Sequence, residues 1–276
     1  MLGRTSSVER GSARLAERRR NRRRRTFVAI FILFLLLLTA IVWGLQQSAV
    51  RISDIEVLGA DASFSSYATS TMSGLYFGVI PRDSIFFFPE EKIRFNILSA
   101  NNDIAAVSIV RSGFTDISIK VDYRVPVARW CGLSPTAGVD EYCYVFDSSG
   151  VIFSIVSTTT QTINTFRLYA PLVGENLEPL RATVLHTEKL PAIFDFARQL
   201  STFGSPVTSI IIRDGEVDDI LKSGTRLTYV LGREQDAFTA LVSARDNLNL
   251  SDGSVDYIDL RFDGKVYLKK KTEPRP

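Results

Sequence analysis

The stretch RRRNRRRRTFVAIFILFLLLLTAIVWGLQQ, residues 18–47, divides this 276-residue chain into two unequal parts. Seven of its first eight residues are arginine, and the nineteen from Phe27 to Leu45 carry no charge. At 1.5 Å per residue a helix of that run is about 28 Å long, close to the hydrocarbon thickness of a bilayer. A cleaved signal peptide has a shorter apolar run ending on small residues. Here the exit carries Trp43 and Leu45, bulky where a peptidase needs small side chains, and Trp43 suits a membrane interface. Arg24-Arg25-Thr26-Phe27 has the order of a twin-arginine export signal, but the run behind it is too apolar for one. The sequence therefore predicts a retained transmembrane helix over residues 27–46, behind a basic tail of residues 1–26.

Charge sets the orientation. Ten arginines against Glu9 and Glu17 give residues 1–25 a net +8, so the remainder carries −5 of the total +3. The arginines stay cytoplasmic by the positive-inside rule, which places the residues after the helix outside the cytoplasm. The basic cluster lacks interleaved aromatics, so no nucleic-acid partner is expected. The only cysteines, Cys131 and Cys143, lie beyond the helix, in a compartment where a disulfide persists. Bonding them would remove roughly 3 kcal/mol of unfolded-state entropy; a free buried pair is the alternative.

Beyond the helix the pattern is α+β. RISDIEVLG, residues 51–59, alternates Ile52, Ile55 and Val57 with polar neighbours and ends on a glycine, as a strand and turn do. A short helix is expected over Ser65–Ser73, and a second opens at Pro89, Glu90 and Glu91, with Ile93, Ile97 and Leu98 on one face. Two alternating strands follow, joined at Ser112-Gly113. Residues 51–124 thus form a strand-helix-helix-strand-strand unit. Residues 125–268 read as a mixed, β-rich domain with two packing helices. One helix places Ile193, Phe194, Ala197 and Leu200 inward and stops at Gly204; the other turns Phe238, Leu241 and Val242 inward. A hairpin turns at Asp147–Gly150, residues 157–164 form a Thr-rich loop, and residues 269–276 are a disordered tail.

Chemistry is sparse. The single histidine, His186, cannot build a metal triad, and no phosphate-cradling loop or serine elbow occurs, so neither metal nor cofactor is expected. Asp214, Glu216, Asp218 and Asp219 crowd RDGEVDDI, which reads as a solvated hairpin turn. No catalytic residue and no small-molecule substrate are expected.

The order of parts resembles the bacterial cell-division family FtsQ/DivIB, in which a basic tail, one membrane helix, a POTRA domain and a β domain follow one another. Three local matches sharpen it. Ile52, Ile55, Val57 and Gly59 are similar to the family's opening POTRA strand. In VDYRVPVARWC, Arg124, Pro126, Ala128 and Trp130 match its domain junction, with Tyr123 in place of an acid. Asp259, Leu260, Arg261 and Phe262 resemble its final strand. The likeness runs from Arg18 to Leu268; the cysteine pair and the insert-like residues 157–180 depart from it. Read from the residues themselves, Pro126 keeps the junction extended, Trp130 is a buried hinge anchor, and Arg261 pairs with Asp259 or Asp263.

The resemblance implies a non-enzymatic, single-pass scaffold of the cytoplasmic (inner) membrane, gathered at the division septum. Its partners would be proteins resembling FtsB and FtsL, bound by strand addition to an edge presented by Phe262, Lys265, Val266 and Tyr267. The POTRA unit would recruit other division proteins. Two rival expectations stand beside it: a POTRA-bearing anchor of an envelope secretion complex, and a wall-active hydrolase using a carboxylate pair such as Asp147 and Asp259.

Overall fold

The computed structural model describes residues 6–135, 143–157, 160–174 and 178–271. The chain is a mixed α+β protein with one N-terminal apolar helix and a large β-sheet domain. Helix α1, Ser6–Leu45, runs through the basic segment without a break, so the basic tail is itself helical from Ser6. Arginine is a good helix former, and the apolar turns that follow propagate the helix back through it. Among the described residues α1 is the one helix long and apolar enough to cross a membrane, and none of its apolar window is buried against protein. That exposure excludes a soluble core helix.

The described residues form two compact units. The first holds β1, Asp54–Leu58; α2, Phe64–Met72; a short hairpin of β2, Leu75–Tyr76, and β3, Ile80–Pro81; α3, Glu90–Ala100; β4, Ile104–Arg111; and β5, Asp116–Tyr123. Strand β5 lies central in the order β1-β5-β4, parallel to β1 with Ile55 opposite Ile117 and Val57 opposite Ile119. Phe64, Ala68, Met72, Ile93 and Ile97 of the helices and Val107, Ile109, Ile117, Ile119 and Val121 of the strands are buried. Gly59 ends β1 at φ +80°, where a Cβ would stand 2.8 Å from the Val121 carbonyl oxygen, so only glycine fits the turn. The strand and helix order matches the sequence expectation; the β2–β3 hairpin is additional.

The second unit is built on a nine-stranded sheet. Its strands are β6, Ala128–Trp130; β7, Tyr144–Phe146; β8, Ile152–Ile155; β9, Arg167–Tyr169; β10, Val207–Arg213; β11, Glu216–Leu221; β12, Arg226–Val230; β13, Val255–Asp259; and β14, Tyr267–Lys270. They lie in the order β14-β13-β12-β11-β10-β9-β6-β7-β8. Helices α4, Leu190–Leu200, and α5, Glu234–Ser243, contribute Ile193, Phe194, Phe196, Ala197, Leu200, Ala237 and Leu241 to the core. Gly204 at φ +96° closes the last turn after α4, as its sequence signal predicts.

Four expectations need correction. Only Asp214 and Gly215 of RDGEVDDI form a turn; Glu216–Leu221 is strand β11, inside the sheet, with Asp218 and Asp219 buried. Val242 is exposed, because α5 turns Ala237 and Leu241 inward instead, with Phe238 partly buried beside them. The insert-like region contributes a core strand, β9, between β10 and β6. Lys269 and Lys270 belong to β14, and the Lys271 amide still donates to the Ser254 carbonyl at 2.8 Å, so pairing continues into the expected tail. Residues 272–276 lie outside the described residues.

Cys131 and Cys143 are bonded. Cys131 follows β6, where its amide donates to the Leu168 carbonyl at 2.8 Å, and Cys143 precedes β7. The bond therefore ties together two neighbouring strands of the sheet. Replacing both cysteines by serine is expected to lower unfolding free energy by about 3 kcal/mol. Urea titration with and without reductant checks this: the reduced native chain must fall to the variant's midpoint.

Candidate functional site

The hairpin of β13 and β14 carries the residues singled out as a partner-binding edge. Strand β13 runs parallel to β12, and the Leu260 amide extends that pairing to the Thr228 carbonyl at 2.8 Å. The chain then reverses at Asp263-Gly264, with Gly264 at φ +64°. Strand β14 returns antiparallel, with Asp259 opposite Tyr267 and Ile258 opposite Leu268.

Arg261 fixes this reversal. Its Nε and Nη2 donate to Asp259 at 2.9 and 2.6 Å, and its Nη1 donates to Glu216 at 2.8 Å. The hydrogen bonds from Arg261 hold the Asp259 carboxyl below the usual range, outweighing its burial. Of the two partners expected for Arg261, Asp259 is found; Asp263 pairs with Arg233 instead. The Phe262 and Tyr267 rings meet edge to face at 5.2 Å, and each remains about half exposed.

The expected edge is displaced along the chain. Phe262 and Lys265 lie on the connection, where the Lys265 amide donates to the Phe262 carbonyl at 3.1 Å and is not available to an added strand. Val266 packs against the core. Tyr267 alone of the four lies on β14, which continues through Leu268, Lys269 and Lys270. All four β14 side chains are exposed, and among the described residues β14 pairs on one side only, with β13. At the opposite end of the sheet, β8 is partly covered: the Ile152 amide donates to Ala182, and the Arg181 amide to Ile152. A cavity of about 330 Å³ lies beside the hairpin, lined by Arg233, Asp236 and Thr239 on the α5 side and by Arg261, Phe262 and Asp263 on the other.

The junction residues have structural partners. Arg124 pairs with Asp147, which also accepts from the Ser149 amide and hydroxyl and from the Val151 amide. Burial alone would raise the Asp147 carboxyl; these hydrogen bonds outweigh it and hold it below the usual range. Trp130 is buried within β6, its Nε1 donating to the Ala170 carbonyl at 2.8 Å, so it anchors the sheet and not a hinge. Pro126 lies in the link between β5 and β6.

Asp147 and Asp259 cannot act as a catalytic pair. They lie at the ends of β7 and β13, six strand steps apart, or about 29 Å at the usual spacing between strands. Glycoside hydrolysis needs carboxyl groups within about 10 Å. Among the described residues no group of three or more histidine, cysteine or acidic side chains could hold a metal ion.

No protein-family model matches the chain, and no curated protein matches it either. Fold and site define a class by themselves: an α+β protein with one helix able to span a membrane and a large sheet ending in an exposed strand.

Proposed function

We propose that this protein is a single-pass membrane scaffold of the bacterial division machinery, similar to the FtsQ/DivIB family, which binds other single-pass division proteins by strand addition. On this reading the first unit is a POTRA domain, and β14 accepts a strand from a partner resembling FtsB or FtsL. The observation that carries it is the β14 edge, which among the described residues is paired on one side and is exposed on both faces. Such an edge is normally blunted, because its unpaired amides and carbonyls template further pairing. Here Lys269 and Lys270 deter indiscriminate pairing, while Tyr267 and Leu268 offer apolar side chains to a specific strand. Backbone hydrogen bonds supply the affinity, and alternate side chains the selectivity.

Successive amides along a strand point to opposite sides, so one of Tyr267→Pro and Leu268→Pro removes an outward donor and the other a bond to β13. The outward variant is expected to abolish capture of FtsB-like and FtsL-like partners in detergent pull-downs while keeping its melting temperature. Wild-type capture by both variants would sink strand addition at β14. A fluorescent fusion on the arginine-rich end reports the setting: a septal band supports division, and a uniform envelope signal moves the protein to a secretion complex.

A further inference from the structure

The β2–β3 hairpin presents an apolar tip that nothing within its own unit covers. Leu75, Phe77 and Val79 alternate along it and are all exposed, Phe77 at 97%. A hairpin in water ordinarily places polar residues outward, whereas this one exposes three apolar side chains at and beside its turn. Phe77 also has φ +51°, a left-handed conformation that a bulky side chain adopts only at a cost in strain. Among the described residues no packing compensates for it, since Phe77 is almost fully exposed. Gly78, at φ +73° in the turn, has open space where a side chain would stand.

The base of this hairpin is held at the exit of α1. The Arg82 amide closes the hairpin onto the Gly74 carbonyl at 3.2 Å. The next residues pair with the chain emerging from the helix: Ile85 donates to Val50 at 3.0 Å, Ile52 donates to Asp83 at 2.7 Å, and Arg51 grips Asp83 through Nε and Nη2. Val50 is only five residues past Leu45, the last residue of α1. Gln46, just beyond the helix, lines one cavity together with Leu75 and Pro81 of the hairpin. Phe86 and Phe87 follow, both about half exposed.

We infer that the hairpin tip at Phe77, with Leu75 and Val79, is a second membrane contact that inserts into the interfacial layer of the bilayer α1 crosses. The inference rests on the reading of α1 as a membrane span. Aromatic and aliphatic side chains gain at the boundary between headgroups and acyl chains, where an apolar body leaves water while the backbone stays hydrated. The occupant is lipid because the chain at the base of the hairpin is held to Val50, five residues past the helix end, and Trp43, exposed near that end, marks the same interface. The contact would restrict how the first unit swings about the short link Gln46–Arg51.

The test uses the full chain, one copy per lipid nanodisc. Both native cysteines are bonded, so Phe77→Cys supplies a unique thiol for an environment-sensitive fluorophore. Leu36→Cys, in the middle of the uncharged run, carries the same label in a separate preparation. With nitroxide placed shallow in the acyl chains, the label at 77 is expected to lose about half its emission and to resist aqueous iodide, as an interfacial side chain does. A label at 77 reached only by iodide, while that at 36 is quenched by lipid, overturns the anchor and leaves the tip to a protein partner. A label at 36 that nitroxide placed at the ends of the acyl chains does not reach overturns the membrane span and the anchor with it.

Discussion

Replacing Phe196 with alanine is expected to cost the second unit about 3–5 kcal/mol of stability, the range for truncating a buried aromatic side chain. Phe196 lies on the inner face of α4 and is almost fully buried. Its ring meets Tyr229 of β12 at 4.6 Å and Phe238 of α5 at 6.4 Å, both edge to face, and Phe203 reaches Phe238 in the same manner at 6.1 Å. One side chain therefore joins both helices to the sheet. Its removal takes away buried apolar area and two aromatic contacts, and leaves a cavity that the hydrogen-bonded strands cannot close. Urea denaturation followed by near-ultraviolet circular dichroism measures the loss. A cost below about 1 kcal/mol would show that α4 can settle into the space, contrary to the packing described.

The second large effect concerns Asp219, which has 0% exposure. It sits on β11 with Ile210 opposite on β10 and Leu227 opposite on β12. Burial pushes its carboxyl well above the usual range, and nearby Glu234 adds to the rise. The Tyr229 hydroxyl offsets this only in part, and neither group makes a hydrogen bond of good geometry. Tyr229 is itself pushed upward, by burial first and then by Asp219 and Glu234, so it remains a neutral phenol. A carboxyl in such a place stays protonated when folded and ionises when unfolded.

The sign follows from proton counts. Above the unfolded aspartate pKa of about 3.9, the folded state holds a proton that the unfolded state has released, so stability falls as pH rises, by up to ~1.4 kcal/mol per pH unit. The fall continues until the folded pKa is reached. Asp147 and Asp259 act in the opposite sense: their lowered pKa values stabilise the fold above the unfolded value, and that contribution is lost as acid protonates them. Asp219→Asn isolates the first effect, since it keeps the shape and removes the ionisation. The variant is expected to match wild type near pH 4 and to exceed it progressively toward pH 7.5 in urea midpoint. Parallel profiles for the two proteins would show that the Asp219 carboxyl titrates alike folded and unfolded.

Local chemistry was readable in the sequence because it depends on neighbours along the chain. The apolar run of α1, and the helical face of α4 and its stop at Gly204, each follow from short-range pattern, and the structure contains all of them; between a bonded and a free pair of cysteines the sequence did not choose, and the structure has the bond. A nearby acid for Arg261 was legible too, though the structure had to choose Asp259 over Asp263. The resemblance to a division scaffold also came from short motifs, and from the structure it takes only an exposed edge on which to act.

Tertiary structure alone decided the rest. The string RDGEVDDI looks solvated, since four acids seldom enter a core. Yet Val217, Asp219 and Leu221 alternate inward, and Asp218 is satisfied by Arg213 and by the Thr228 hydroxyl at 2.6 Å. Those partners come from adjoining strands, which no local window identifies. Strand order is non-local in the same way: only the assembled sheet shows that β14 is an end strand, that Phe262 and Lys265 fall on the reversal, and that Asp147 and Asp259 stand six strands apart. Sequence by itself determined which segments are apolar, periodic or charged; pairing between distant strands determined which of them face the core and which are left open to a partner.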